Sequence, residues 1–353
     1  MVAKRGESML DDLNYVAQKD PQDMLGIMLD GVSQLKHTFD LTGKALPKKE
    51  QVDNVVVLGM GGSALAAEYM RVWPGLHIPF EICRQYTVPL YVNERSLVIV
   101  SSYSGNTEET LDAMEDAQKK GARLAVVTSG GMLLERAKAQ NLPCALIPDG
   151  EQPRACVFYD LKALMTILQA VGLYHGATVE LSQVADTLAH ATEQWGPHIP
   201  TKSNTPKKLA EEMVGKTPVI YGGILYAAAY KWKINCNENA KNLAFCNQMS
   251  EFDHNEFLGW TSHPIEKPFV VFDLISSFDH PEIQKRFVLG NKLLSGMRPE
   301  AIEIQAQGSS LLEQLIWVTL LGDVTSVYLA ILNGVNPTPV DLVEKLKKEL
   351  REL

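Results

Sequence analysis

The feature that most constrains this chain is a recurring unit: a short β-branched run, a cluster of glycines and small hydroxyl residues, then helical periodicity. Val55-Val56-Val57-Leu58 enters Gly59-Met60-Gly61-Gly62-Ser63, with helical sequence over residues 64–72. Leu97-Val98-Ile99-Val100 enters Ser101-Ser102-Tyr103-Ser104-Gly105-Asn106-Thr107, followed by a helix over 108–120. A third run, 123–127, stops at Thr128-Ser129-Gly130-Gly131 before helical sequence returns. Buried strands alternating with helices predict a mostly parallel sheet covered on both faces.

The plan recurs in the second half. Val219-Ile220-Tyr221-Gly222-Gly223, Phe269-Val270-Val271-Phe272 before Ser276-Ser277, and Ile302-Glu303-Ile304 before Gly308-Ser309-Ser310 mirror the three runs. The offset is roughly 165 to 180 residues, a domain-sized repeat. The expected fold is two similar doubly wound, flavodoxin-like α/β domains over 49–200 and 201–353. Their boundary falls in the polar, proline-containing stretch 196–208, where helical periodicity lapses. Met9, Leu13, Val16, Met24, Ile27, Met28, Val32 and Leu35 recur at helical spacing, so 1–48 reads as a helical segment packed on the first domain. A further helix closes the chain.

With 353 residues, 46% hydrophobic and 21% charged, the chain has material for two cores, which excludes disorder and fibrous repeats. The formal charge, 33 − 42 = −9, provides no basic field for nucleic acid or an anionic membrane. An anionic ligand therefore needs a local trap of backbone N–H groups and a few fixed cations. Five cysteines without CxxC spacing argue for reduced thiols in a cytoplasmic protein. The acidic amphipathic start lacks an apolar signal core. The apolar tract 311–332 contains Glu313, Gln314 and Asp323, which predicts a buried helix and not a membrane span.

The segment 102–107 lies where a strand ends and a helix begins. Ser102, Ser104 and Thr107 share one turn with Gly105, and the following helix offers free N–H groups and a partial positive charge. A phosphate fits there; Asn106 or Thr107 could also be an ordinary helix cap, but a cap needs only one such residue and here Ser102, Ser104 and Thr107 all line the turn. The turn 59–63 lacks a P-loop ending, and no acidic residue closes the second strand, which disfavours a dinucleotide. Asn235, Asn237 and Asn239 crowd one helical turn around Glu238, against helix propensity, which is more expected near a site, although Glu238 taken alone reads as a solvated surface carboxylate. His254 stands among Glu251, Asp253 and Glu256. With no second histidine at metal-ligand spacing, acid–base chemistry tuned by those carboxylates is the better functional reading, and an ordinary surface histidine is the alternative. Arg154, read alone, is a surface arginine. No metal or cofactor is expected.

Together these segments resemble the sugar isomerase (SIS) superfamily and, more closely, the bifunctional phosphoglucose/phosphomannose isomerase family. The resemblance runs from about residue 50 to the end. It rests on 59–63, 102–107, Pro153-Arg154-Ala155, Asn237-Glu238-Asn239, Asp253-His254-Asn255-Glu256, Asn336-Pro337-Thr338-Pro339-Val340 and Leu346-Lys347. It implies that Ser102, Ser104 and Thr107 hold a sugar phosphate, with Gly61, Gly62 and Ser63 along the sugar. It implies that Glu238 moves the proton between C1 and C2 and that His254, from the neighbouring subunit of a homodimer, opens the ring. Arg154 is implied beside the enediolate, Lys347 near the ring oxygens with Lys345 and Lys348 as neighbours, and Thr338 as the small residue admitting both C2 epimers. Asn336 departs from the commoner Asp. The implied activity is a metal-free interconversion of glucose 6-phosphate and mannose 6-phosphate with fructose 6-phosphate. The alternatives are a non-catalytic sugar-phosphate-binding regulator, which would need neither Glu238 nor His254, and the isomerase half of an aminosugar synthase.

Overall fold

The valine-rich runs form the centres of two parallel sheets in the computed structural model, which describes residues 8–262 and 268–352. The first seven residues and His263 lie outside the described residues. The chain divides into two units: Gly31–Ala189, and the residues up to Asp30 together with those from His190 onward.

In chain order, α1 (Leu13–Lys19) and α2 (Met24–Leu29) come first. The unit Gly31–Ala189 then contains β1 (Asn54–Leu58), α3 (Gly61–Met70), β2 (Phe80–Cys83), β3 (Ser96–Ser102) and α4 (Glu108–Lys119). It continues with β4 (Arg123–Thr128), α5 (Gly131–Ala139), β5 (Cys144–Leu146) and α6 (Val157–Val171). The strands lie in the order β2-β1-β3-β4-β5 with every neighbouring pair parallel. Strands β1 and β3 are buried at every position, which is why they read as unbroken apolar runs rather than alternating ones. The strand order reverses between β1 and β3. Connections leave these two strands toward opposite faces, opening a crevice at their carboxyl ends, where doubly wound sheets take ligands. The turn 59–63 follows β1 and the loop 102–107 follows β3, so both sequence motifs fall at this point.

Helix α7 (Ala177–Glu193) carries the chain onward. The second unit has α8 (Thr205–Met213), β6 (Thr217–Gly222), α9 (Tyr226–Glu238), β7 (Phe245–Gln248), α10 (Glu251–His254) and α11 (Glu256–Gly259). It ends with β8 (Phe269–Ile275), α12 (Pro281–Leu293), β9 (Ile302–Gln305), α13 (Leu311–Leu332) and α14 (Asp341–Glu352). Its sheet, β7-β6-β8-β9, is again parallel throughout and reverses between β6 and β8. Helix α13 is long and apolar enough to cross a membrane, yet it is the core helix of this unit, packed against α2, α8 and α9. Its buried Asp323 pairs with Lys231 Nζ at 2.8 Å.

The N-terminal segment does not act as one preamble on the first sheet. Lys207 Nζ, wholly buried, donates to Leu10 O at 2.8 Å and Asp11 Oδ1 at 3.0 Å. Tyr15 donates its hydroxyl to Ile331 O at 3.3 Å, and α2 packs on α13. Residues 8–30 therefore belong with the C-terminal sheet, and only the segment from Gly31 joins the first. The apolar spacing that predicts helices is silent about which core they cover.

Candidate active site

In the unit Gly31–Ala189 three segments are tied together. Tyr103 N donates to the buried Ser63 Oγ at 3.0 Å, which fastens the first turn of α3 to the loop after β3. A Cβ on Gly62 would stand 2.8 Å from Pro153 O and 3.3 Å from Arg154 N, so the absence of a side chain lets the turn Pro153–Ala155 lie against α3. Arg154 is 1% exposed and its Nη1 donates to Gln152 Oε1 at 3.2 Å. The expectation of a surface arginine is thus corrected: a guanidinium is held inside this unit beside the glycine turn.

Within the loop, Ser102 Oγ and Thr107 Oγ1 hydrogen-bond at 2.9 Å and close the turn on itself. Ser104 is exposed, and its Oγ accepts from Asn106 N at 3.3 Å. Gly105 has φ +67 and presses on the Gly130 carbonyl oxygen, a position no side chain tolerates. The capping alternative finds no support. Thr107 occupies the N-cap of α4 but makes no side-chain cap bond, and Asn106 Oδ1 instead accepts from Met132 N at 3.0 Å on α5. The first turn of α4 thus keeps donors and a positive dipole end for an anion.

The duplicated unit is different at the matching point. After β8, Asp279 Oδ2 accepts from Ser276 N at 2.8 Å and Oδ1 accepts from Ile224 N, after β6, at 2.7 Å. Gln314 Oε1 accepts from Ser276 Oγ at 2.7 Å and Ser277 N at 3.2 Å. A carboxylate from the chain itself bridges the two turns that border this crevice.

Beneath the loop, Ser101 Oγ donates to Asp160 Oδ1 at 3.2 Å, while Asp160 Oδ2 is buried without a partner. Burial pushes the Asp160 carboxyl up to about 8, against the opposing hydrogen bond from Ser101. The native state therefore keeps a proton that the unfolded chain releases near pH 4. The wild type is expected to lose stability as pH rises from about 4 to about 8, by up to about 1.4 kcal/mol per pH unit from this group. Asp160→Asn removes that slope, so its advantage in urea unfolding grows from pH 5 to pH 8; parallel curves for the two proteins would refute the assignment.

In the second unit the asparagine-rich turn has a structural cause. Asn235 Nδ2 donates to Asp323 Oδ1 at 2.6 Å, Asn239 Nδ2 donates to Ser326 Oγ at 2.8 Å, and Asn237 Oδ1 accepts from Ala244 N at 3.0 Å. These bonds pin the end of α9 to α13 and to the following loop, and Glu238 is the last residue of the helix they fix. Lys241 Nζ, not foreseen from the sequence, donates to the carbonyls of Glu238, Asn239, Asn336 and Pro337. It joins the Glu238 turn to the loop carrying Thr338. There Asn336 Oδ1 accepts from Thr338 N at 3.0 Å, as an aspartate could, while its Nδ2 donates to Gln22 Oε1 at 2.9 Å, as an aspartate could not.

His254 ends α10, exposed and without a hydrogen bond among the described residues. The carboxylates around it are engaged elsewhere. Asp253 pairs with Arg286 at 2.8 Å, Glu251 accepts from Asn255 at 2.6 Å, and Glu256 accepts from Asn247 at 2.8 Å and from the Tyr221 hydroxyl. Lys347, on the exposed face of α14, pairs with Glu344 at 2.7 Å. Among the described residues no three His, Cys, Asp or Glu side chains converge as metal ligands.

The first unit is doubly wound with a serine loop at its switch point, a second doubly wound unit follows it, and residues 202–350 match the model of the bacterial phospho-glucose isomerase C-terminal SIS domain. A solved glucose-6-phosphate isomerase like protein from Thermus thermophilus shares the fold, with TM-score 0.65 at 20% identity over 96% of this chain and 98% of that one. The bifunctional phosphoglucose/phosphomannose isomerase of Caldicellulosiruptor bescii is 36% identical over 311 residues, 87% of this chain and 92% of that protein. The protein of that name from Aquifex aeolicus is 31% identical over 302 residues, 84% and 90% of the two chains. The chain belongs to the bifunctional phosphoglucose/phosphomannose isomerase family.

Proposed function

We propose that this chain interconverts glucose 6-phosphate and mannose 6-phosphate with fructose 6-phosphate, without a metal, through a cis-enediolate. The observation that carries the reading is the open, uncapped serine loop in a chain whose relatives of that name match it over most of its length. Ser102, Ser104, Thr107 and the first turn of α4 grip the phosphate, which takes no part in bond making and supplies orientation. Gly61, Gly62 and Ser63 border the sugar. His254 and a lysine of α14, Lys347, open the ring by protonating O5 and taking the proton from O1. Glu238 removes the C2 proton of the aldose and returns it to C1 as the hydroxyl proton passes from O2 to O1, while the negative charge developing on oxygen is met by Arg154. Arg154 is buried and so pre-organised, which stabilises the enediolate more than the neutral sugar. Thr338 leaves space for either configuration at C2. The exposure of His254 supports a homodimer in which it serves the partner's site, and the reduced cysteines support a cytoplasmic setting.

A coupled assay of fructose 6-phosphate formation from each aldose phosphate, with EDTA present, tests the proposal. Turnover of both sugars is the expected result. Turnover of glucose 6-phosphate alone would overturn the role of Thr338, and binding without turnover would make the chain a sugar-phosphate regulator.

A further inference from the structure

Lys241 stands apart from the other lysines of the second unit. Its ammonium lies 2.9 Å from Glu238 O, 3.2 Å from Asn239 O, 2.8 Å from Asn336 O and 3.2 Å from Pro337 O. Its backbone is in the left-handed region at φ +51, which a side-chain-bearing residue adopts only when its surroundings hold it there. An ammonium has three protons, so four carbonyls share them in a single positively charged knot. Two of these carbonyls belong to the turn that ends α9 and two to the segment before Thr338, almost a hundred residues later. Without the cation, four carbonyl dipoles would converge unneutralised, and the two segments would separate.

We infer that Lys241 is a positioning residue that locks the Glu238 turn and the Thr338 loop into one body, so that placement of the base and tolerance of the two C2 epimers are set together. The inference rests on the isomerase reading and deepens it. Epimers differ in the direction from which the C2 proton is presented. An enzyme that accepts both must hold the base and the epimer-sensing wall at one fixed separation, and a knot between their backbones does this without touching substrate. Additional support comes from Asn333 Nδ2, which donates to Ala240 O at 3.2 Å and braces the same two segments one residue away.

The test compares wild type with Lys241→Met, which keeps the stem and removes the charge, and with Lys241→Ala assayed with and without ethylammonium. Hydrogen exchange at residues 335–340 is followed alongside kcat and KM for both aldose phosphates. In Lys241→Met, faster exchange in that loop, kcat lowered at least tenfold with KM within about threefold, and a changed ratio of mannose to glucose turnover are expected. Ethylammonium, which fits the vacated knot, should restore part of kcat to Lys241→Ala. Unchanged exchange overturns the knot. Faster exchange with unaltered kcat and epimer ratio overturns the positioning role, as does a loss of activity that only tracks the folded fraction in thermal unfolding. Failure of the isomerase reading shows separately, as absence of turnover in the wild-type control.

Discussion

Glu238→Gln is expected to lower kcat by about 10²–10⁴-fold for both aldose phosphates, with substrate affinity within a few fold of wild type. Glutamine keeps the size and the hydrogen-bonding oxygen of the side chain but cannot accept the C2 proton. The turn is fixed by the Asn235–Asp323 and Asn239–Ser326 bonds and by the Lys241 knot at the backbone carbonyl of Glu238. Thermal unfolding of the variant, run alongside, separates a loss of chemistry from a loss of fold. Exchange of solvent deuterium into C2 of the substrate is the sharper measurement, because it reads the proton transfer itself. Exchange persisting at the wild-type rate in Glu238→Gln would assign the base to another residue. Loss of affinity together with kcat would instead make Glu238 a binding group.

The central strands of both sheets, the duplicated plan and the serine loop were all legible in the sequence, because each is a local pattern. Buried parallel strands must be apolar at every position, and their ends must be small to let a helix turn back. The edge strands β2, β5 and β7 were not read. They are short, three or four residues each, and Phe245–Gln248 in particular carries no apolar run. Pairings between distant residues were also illegible. The asparagines around Glu238 stood out against helix propensity, but their partners on α13 lie more than eighty residues away. Lys241 reaches Asn336 over a similar interval, and nothing in its neighbourhood marks it. Asp160 sits within an apolar helix pattern, where only the structure shows that it lies under Ser101. The two repeated glycine-and-serine turns looked equivalent. The placement of Asp279 shows that one is bridged by its own carboxylate, whereas the other is tied by the bond between Ser102 and Thr107.

That asymmetry sets the last expected result. Ser104→Ala combined with Thr107→Ala should weaken binding of hexose 6-phosphates by about 10²–10³-fold, taking about 1.5–3 kcal/mol for each hydrogen bond to a charged group and allowing for incomplete additivity. Thr107→Ser, which retains the hydroxyl and its bond to Ser102, should bind within a few fold of wild type. The matching change in the closed crevice, Ser277→Ala, should leave affinity unaltered, since an anion there would have to displace Asp279 from two backbone N–H groups. The measurement is titration calorimetry with glucose 6-phosphate and, in parallel, with unphosphorylated glucose. The phosphate contribution is the difference between the two sugars, and it should collapse in the double variant alone. A double variant that keeps that difference would move the phosphate away from the serine loop, whereas loss of it in Ser277→Ala would place the anion in the second unit.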